Sequence, residues 1–348
     1  MTAETVLSPS ADALGGAVPG RAPGRAPGPD ERPAGPSLSP SRAADFKTCP
    51  LLFRFRTIDR LPERPTPDQA RGTLVHAVLE RLFDLPAAER TPESAAALVA
   101  PEWERLLGQE PLLAGLFDPA DPGAAPDPRP EPGARPAADE AAAAEPLPGI
   151  AAAAEAERIA AFLSGAGDLL AGYFAVEDPR RLEPAERESL VSTLVGDELL
   201  IRGYIDRLDV SPAGDLRVVD YKTGGAPREA FEGRALFQLK FYALVLWRTR
   251  GVVPRVLRLL YLKDAEICDY SPDAAELERF ERTLVALSQA IERAKAERDF
   301  RPKPSKLCGW CSHQRFCPEF GGTPPAYPEP APAEALDPAG TGPDGSAD

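Results

Sequence analysis

Three strand-like segments in the middle of the chain restrict its fold most strongly. They are rich in β-branched and aliphatic residues, and they read "ESLVSTLV" (188–195), "LLIRGYIDRLDV" (199–210) and "LRVVDY" (216–221). The short polar stretches between them, "GDE" and "SPAGD", are typical of hairpin turns. A helical segment at about 229–249 and strand-like segments at 254–263 and 266–270 follow. A meander followed by a helix and another strand predicts an α/β fold with a mixed central sheet flanked by helices.

Helical patterns precede and follow this predicted sheet. Ser39-Pro40 resembles a helix start, with serine at the N-cap and proline in the first turn, and Pro50 interrupts the pattern. The spacing of apolar residues predicts further helices over about 68–84, from Thr91-Pro92 onward, over 151–174 and over 273–298.

Of the 41 prolines, 23 are concentrated in three segments, 1–38, 118–148 and 321–348. These segments lack apolar periodicity, so they cannot bury enough surface to offset the entropy that ordering would cost. We expect a disordered N-terminal tail, a disordered insertion and a disordered acidic C-terminal tail around one folded domain at 39–320. Eleven of the fourteen net negative charges lie in the three segments. The acidic pI of 4.9 therefore does not exclude a local basic groove for nucleic acid.

Two features bear on the location of the protein. The N-terminus has no charged region followed by an apolar one, so we predict no signal peptide. The stretch that we identify as the most hydrophobic helical one, "ALFQLKFYALVLW", is too short to span a bilayer and contains Lys240. We therefore predict a cytoplasmic protein without a membrane segment. Five cysteines in such a chain favour a metal site or a cluster over disulfides.

The segment "LRVVDYKTG" ends in two charged residues, Asp220 and Lys222. Side chains alternate along a strand, so both point to one face. If "SPAGD" forms a hairpin, Asp206 on the preceding strand becomes a neighbour of Asp220. Two carboxylates that close repel each other unless a cation lies between them, and oxygen ligands favour Mg²⁺ or Mn²⁺. A solvated strand end, or a salt bridge from Asp206 to Arg202 or Arg207, would explain the same residues without a site.

Three residues on predicted helices are further candidates. His76 lies at the edge of its helix's apolar stripe, one turn after Gly72, and could be a metal ligand or an ordinary boundary histidine. Gln238 and Tyr242 are four residues apart and share a helix face. That face could contact the Lys222 site or a phosphate, and the polar edge of a core helix would show the same spacing.

The cysteines give the strongest local signal. Cys308, Cys311 and Cys317 have the spacing C-x2-C-x5-C, which leaves one ligand position open. His313 would complete a zinc site, whereas Cys49 would complete a four-thiolate site or an iron–sulfur cluster, and the spacing does not separate zinc from a cluster. With Cys49 as a ligand, the site would join distant parts of the chain and stabilise the whole fold.

Taken in order, four motifs resemble those of a known family. "GTLVH", "GYIDRLD", "VVDYKTG" and "QLKFYAL" are similar to the motifs of the RecB-type branch of the PD-(D/E)XK nucleases. The "CP" near the start and C-x2-C-x5-C near the end resemble its iron–sulfur branch, which includes AddB-type and CRISPR-associated exonuclease domains. The resemblance covers about residues 39–320. It implies a restriction-endonuclease-like core with added N- and C-terminal helical elements that a cysteine cluster joins.

The resemblance also implies a role for each candidate residue. Lys222 would be the catalytic lysine, in a catalytic set that includes Asp206 and Asp220, and Gln238 and Tyr242 would position the lysine and the DNA strand. The ligands of Mg²⁺ or Mn²⁺ would be His76, Asp206, Asp220 and the backbone carbonyl of Tyr221. The ligands of a [4Fe–4S] cluster would be Cys49, Cys308, Cys311 and Cys317. A further acidic position would fall to Glu188 or Glu186.

The implied function is hydrolysis of phosphodiester bonds by a metal-dependent DNA exonuclease, on single-stranded or processed ends, in repair or recombination. The chain has no G-x4-GK[ST] loop, so we expect DNA unwinding to come from a separate helicase or the ends to be single-stranded already. One alternative is a catalytically weak module of the same fold that binds DNA ends or a helicase. Another alternative is a zinc-stapled interaction protein, which His313 and the proline-rich tails support.

Overall fold

A mixed β-sheet forms the centre of the computed structural model, which describes residues 35–117, 148–196, 198–226 and 232–329. The sheet order is β1-β3-β4-β5-β6, and β2 pairs with β3 as well. The strands are β1 (Ser37–Leu38), β2 (Glu186–Val195), β3 (Leu199–Val210), β4 (Leu216–Lys222), β5 (Val256–Tyr261) and β6 (Glu266–Tyr270). β2, β3 and β4 form an antiparallel meander, whereas β4 and β5 are parallel. The predicted mixed sheet is confirmed, and β4 lies inside it.

Seven α-helices flank the sheet within the described ranges. They are α1 (Pro40–Thr48), α2 (Pro50–Phe53), α3 (Pro67–Leu82), α4 (Pro92–Gln109), α5 (Pro148–Val176), α6 (Glu232–Arg250) and α7 (Ala274–Glu297). Ser39, Thr66 and Thr91 cap α1, α3 and α4, and each hydroxyl accepts a hydrogen bond from the backbone N–H three residues later. A proline follows each cap and fixes the first helical φ, which explains where these helices begin. Pro50 likewise starts α2, which continues into a π-helical turn, Arg54–Ile58.

Two hydrophobic cores lie on opposite faces of the sheet. Val218 and Leu259 belong to the core that α1, α2, α6 and α7 cover. Val219, Tyr221 and Leu260 belong to the core that α3, α4 and α5 cover. The alternation along β4 therefore sends successive side chains into different cores, so a site at the end of this strand rests on packed layers from both sides.

Both ends of the packed chain extend beyond the predicted domain limits of 39 and 320. β1 lies in the predicted N-terminal tail and pairs in parallel with β3. In the predicted C-terminal tail, Tyr327 stacks on Phe300 with 6.1 Å between ring centroids, and Arg54 donates a hydrogen bond to the carbonyl of Pro325. Aromatic and guanidinium contacts therefore order residues that their proline content predicted to be disordered. The rest of both tails and the predicted insertion before Pro148 lie outside the described residues.

The most apolar helix is α5, and the prediction that gave this place to "ALFQLKFYALVLW" in α6 is wrong. An 18-residue window within residues 153–176 has a mean hydropathy of 1.5, and the helix can cross a membrane by length and composition. Many alanines raise this value, while Phe162, Leu170 and Tyr173 are buried in the core that α3 and α4 share. A core helix of a globular protein passes the same test, so the finding does not place α5 in a membrane. The predicted cytoplasmic location stays a prediction.

Candidate active site and metal centre

The sheet opens between β3 and β4 at the candidate site. Regular pairing of these strands ends at Arg207 and Val219. The next position of each strand carries Asp206 or Asp220. Beyond that point the Asp206 carboxylate replaces a strand partner, because its Oδ2 accepts a 2.8 Å hydrogen bond from the backbone N–H of Tyr221. The structure thus brings together the two aspartates that the hairpin pattern placed side by side.

His76 reaches this opening from α3. Its Nε2 lies 2.9 Å from the backbone carbonyl of Tyr221, and its Nδ1 lies 3.4 Å from Asp206 Oδ2. The helix can lie this close because Gly72, one turn earlier, has no side chain, and a Cβ there would lie 3.1 Å from Thr223 Oγ1. If Nε2–H donates to the carbonyl, Nδ1 is the nitrogen that faces the carboxylates. The Tyr221 carbonyl, predicted to bind metal, here accepts from His76.

Glu188 on β2 completes the group. It faces Asp206 in the register of β2 and β3, and its φ of +42° is a left-handed conformation that residues other than glycine rarely adopt. Its Oε1 lies 3.8 Å from His76 Nδ1, and one ligand atom each from His76, Glu188 and Asp206 lie within 4.8 Å of one another. Glu186, the competing acidic residue, pairs with Arg250. Strained backbone of this kind costs about 1–3 kcal/mol and clusters at functional sites.

The charges of this group favour a bound cation. Burial raises the pKa of Asp206 to about 7, and the negative charges of Asp220 and Glu188 add to the rise while His76 opposes it. Burial by itself would lower the pKa of His76, but the three carboxylates outweigh it and raise that pKa to about 9. The carboxylates therefore repel one another and attract positive charge. A divalent cation among them would relieve this repulsion.

A chain of polar contacts connects Asp220 to α6. Lys222 Nζ lies 2.6 Å from Asp220 Oδ2 and donates a 2.9 Å hydrogen bond to Gln238 Oε1. Gln238 Nε2 donates to the hydroxyl of Tyr242, also at 2.9 Å. Tyr242 packs so closely on Gly203 of β3 that a Cβ there would lie 2.7 Å from its ring. The glutamine is therefore fixed at both ends and holds the lysine ammonium beside the carboxylates.

The donor set fits a hard divalent cation. Carboxylates supply most of its ligand atoms, which Mg²⁺ and Mn²⁺ prefer, and His76 supplies one nitrogen. The Asp220 side chain is 2% exposed, and its Oδ2 has no hydrogen-bond donor among the described residues. Such an oxygen is costly to bury unless positive charge compensates it, and Lys222 and the nearby His76 supply that charge in the described part of the chain.

A cleft of about 490 Å³ opens beside this group. His76 and Glu188 line it together with Gly72, Arg105 and Tyr204. The cleft opens His76 and Glu188 of the group to solvent. Sequence reasoning missed Tyr204, although its position two residues before Asp206 on a predicted strand placed it on the same face.

Arg207, the neighbour of Asp206, lies behind the site and is fully buried. Its guanidinium makes a bidentate contact with Glu177 at 2.7 and 2.8 Å, contacts Asp209 at 3.1 Å and donates to the Tyr221 hydroxyl at 3.0 Å. The salt bridge between Arg207 and Asp206, which would have explained the aspartate without a site, is not formed within the described ranges. Asp206 is thus left facing His76 and the other carboxylates.

The four cysteines predicted to share a site line one cavity of about 220 Å³. They are Cys49 between α1 and α2, and Cys308, Cys311 and Cys317 in the turns after α7. His313 turns elsewhere, since its Nε2 lies 2.6 Å from a carboxylate oxygen of Glu63. In the described part of the chain, no three Cys or His ligand atoms of this region approach within 4.8 Å of one another, as the ligands of one zinc ion do.

The chain is similar to several known proteins. The Gene 69 protein of Mycobacterium phage D29 is 32% identical over 127 residues, which are 36% of this chain and 45% of the phage protein, so the match spans less than half of that relative. The solved structure of a candidate exonuclease from Eubacterium rectale aligns with 80% of this chain and 88% of its own, at 10% identity and a TM-score of 0.45. The family model described as the PD-(D/E)XK nuclease superfamily matches residues 37–318, which include every residue of the site. Because this match covers about four-fifths of the chain, the chain belongs to the PD-(D/E)XK nuclease superfamily.

Proposed function

We propose that this chain is a metal-dependent DNA exonuclease of the RecB type that acts on single-stranded or processed ends in repair or recombination. One observation carries the proposal: a partly buried group of ligand-type side chains from two layers of the fold converges beside a lysine that α6 fixes in place. Membership of the nuclease superfamily supports the reaction class. A separate helicase as partner and a cytoplasmic location are further parts of the proposal and rest on the sequence.

The side chains of the site have distinct roles in this proposal. The metal ligands would be His76, Glu188, Asp206 and Asp220. A divalent cation, when bound, supplies a Lewis acid for the phosphate and lowers the pKa of a bound water. Lys222 places an ammonium next to the carboxylates, where it stabilises negative charge that develops on the phosphate. Gln238 holds Lys222 in this position, and Tyr242 holds Gln238. Both residues therefore orient the lysine.

Cleavage of end-labelled single-stranded DNA in Mg²⁺ or Mn²⁺ tests this function. We expect Lys222→Ala to lower the cleavage rate about a hundredfold or more, as the loss of one positioned charge-stabilising group does. Lys240→Ala is the matched control, because Lys240 of α6 is similarly buried but pairs with Glu276 of α7 and not with a residue of the site. Equal rates for wild type and Lys222→Ala would refute the mechanism. DNA binding without any metal-dependent cleavage by the wild type would favour the binding module.

We further propose that the four cysteines hold a [4Fe–4S] cluster. The common cavity that they line supports this, and so does the engagement of His313 with Glu63, which removes the fourth ligand that a zinc site was expected to use. Cluster ligation would join α1 and α2 to the segment after α7. Such a link between distant parts of the chain stabilises the folded state by restricting the unfolded one.

Absorbance of anaerobically purified protein near 400 nm, together with iron and zinc analysis, tests the cluster. We expect Cys308→Ala to lose the visible absorbance and to unfold at a temperature lower by about 5 °C or more, since metal sites contribute several kcal/mol to folding. Cys268→Ala, a cysteine of β6 outside the cavity, should keep both properties. A colourless wild type that contains zinc would overturn the cluster in favour of a zinc site.

A further inference from the structure

Tyr204 is an exposed aromatic residue at the edge of the metal-ligand group. Tyr204 is 54% exposed, and its hydroxyl makes no hydrogen bond within the described ranges. In contrast, the hydroxyl of Tyr221 accepts from Arg207 and that of Tyr242 accepts from Gln238. Tyr204 therefore contributes little to the packing of the fold.

The position of Tyr204 is defined by the strand that carries it. It lies two residues before Asp206 on β3, so the two side chains project from the same face of the strand about 6.5–7 Å apart. It lines the same cleft as His76 and Glu188. The Tyr204 ring therefore lies close to the carboxylates of the metal-ligand group.

Several small residues of α3 share this cleft with Tyr204. Gly72, Thr73 and Ala77 line the cleft from α3, and all three have small side chains. A nucleobase is flat and apolar on its faces, and stacking on an exposed aromatic ring is the usual way in which proteins hold unpaired bases. Bases inside a duplex are already stacked and cannot offer a free face to such a ring.

We propose that an unpaired base of the DNA strand stacks on the Tyr204 ring while a phosphate of the same strand lies beside the carboxylates of the metal-ligand group. The inference rests on the proposed nuclease function and goes beyond it, because it assigns the preference for single-stranded DNA to one residue. The strand enters the cleft with one base on the Tyr204 ring and the adjoining phosphate beside Asp206. Tyr204 is a specificity-determining residue and takes no part in bond cleavage.

Binding of a fluorescently labelled oligothymidylate to the full chain, measured by anisotropy in EDTA, tests this assignment without cleavage. We expect Tyr204→Leu, which keeps an apolar side chain but loses the ring, to weaken binding about five- to a hundredfold. Tyr204→Phe, which keeps the ring, should bind within about twofold of wild type. Leu194→Ala is the matched control, since Leu194 on β2 is equally exposed but lies about 13 Å further along the two paired strands.

A second set of oligonucleotides separates stacking from other contacts. An abasic site scanned along the strand should weaken binding to wild type at one position by the same factor as Tyr204→Leu, and should have no further effect on that variant. With Mn²⁺ present, Tyr204→Leu should lower kcat/KM for single-stranded DNA much more than for blunt duplex ends. The same kcat is expected at saturating DNA.

The outcomes distinguish this inference from the proposed function. If wild type binds and cuts single-stranded DNA but Tyr204→Leu binds it equally well, stacking on Tyr204 is wrong and the nuclease stands. If Tyr204→Phe loses as much affinity as Tyr204→Leu, the ring is not the contact, and the inference is also wrong. If wild type neither binds nor cuts DNA while keeping its fold, the proposed function fails first.

Discussion

Removing one of the proposed metal ligands should stabilise the metal-free protein. Burial among other carboxylates raises the pKa of Asp206 from 3.8 to about 7. Each pKa unit corresponds to about 1.4 kcal/mol, so ionised Asp206 destabilises the folded state by at most about 4 kcal/mol at pH 8. Asp206→Asn removes this charge and can still accept the hydrogen bond from the Tyr221 N–H. We expect the variant to be more stable than wild type by about 1–4 kcal/mol at pH 8 without divalent metal.

The effect should depend on pH in one direction. A carboxyl whose pKa is higher in the folded state contributes stability that is fully present below its unfolded pKa, here about 3.8. That contribution is lost as the pH rises through about 7. The advantage of Asp206→Asn should therefore be largest at pH 8, less than half as large at pH 5, about a seventh as large at pH 4 and absent only well below pH 3.8.

Thermal unfolding in EDTA, followed by circular dichroism, measures this difference. A domain of this size gains about 2–4 °C per kcal/mol, so Asp206→Asn should unfold about 2–16 °C above wild type at pH 8. Millimolar Mg²⁺ should then raise the unfolding temperature of wild type and leave that of the variant almost unchanged, because only a ligand that binds the folded state stabilises it.

The neighbouring aspartate on β3 supplies the control. Asp209 accepts hydrogen bonds from Arg207 and Arg217, so its charge is compensated and Asp209→Asn should destabilise the protein. If Asp206→Asn instead lowers stability at pH 8 as Asp209→Asn does, the carboxylates of the site do not repel one another in the free protein. The inference of a cation site from charge would then be wrong.

Three further changes test the packing of the fold, two of them next to the site. Arg207→Met leaves Glu177, whose side chain is 7% exposed, with only a 3.7 Å contact to Arg258, so the free energy of unfolding in urea should fall by about 3–5 kcal/mol, and a loss below about 1 kcal/mol would contradict a buried, paired charge. Gly203→Ala introduces a Cβ 2.7 Å from the Tyr242 ring, so we expect a loss of about 1–3 kcal/mol and a lower cleavage rate at unchanged DNA affinity. Gly167→Ala on α5, where a Cβ meets nothing within 4 Å, should instead stabilise the protein by about 0.5–1 kcal/mol.

The elements that the sequence predicted well are those with local signals. β3 spans Leu199–Val210 as expected, because the turn after it contains residues that favour a turn. Gly214 adopts a φ of +85°, and the Ser211 N–H donates to the Asp215 carbonyl. Strand alternation then determines which residues face which core. The proximity of Asp206 and Asp220 follows from these two local rules alone.

Other parts of the site depend on contacts that no local pattern contains. The choice of Glu188 over Glu186 depends on a left-handed backbone near the start of β2, which nothing in "ERESLV" indicates. β1 has two residues and exists only because β3 lies beside it. Tyr327 is ordered by Phe300 and by two arginines above its ring, although its own segment is rich in proline. Long-range partners overrule composition in each case.

Tyr221 explains how the buried core determines the geometry of the metal group. Its hydroxyl accepts from Arg207 behind the sheet, its backbone N–H holds the Asp206 carboxylate, and its carbonyl lies 2.9 Å from His76 Nε2. The Tyr221 ring is buried. Because side chains alternate along β4, the neighbouring Asp220 points to the other face of the sheet. One residue therefore fixes two ligands through its backbone and is itself fixed by a buried ion pair. Since a shift of about 1 Å in such groups is enough to impair catalysis, changes to the core behind β4 should reach the site through Tyr221.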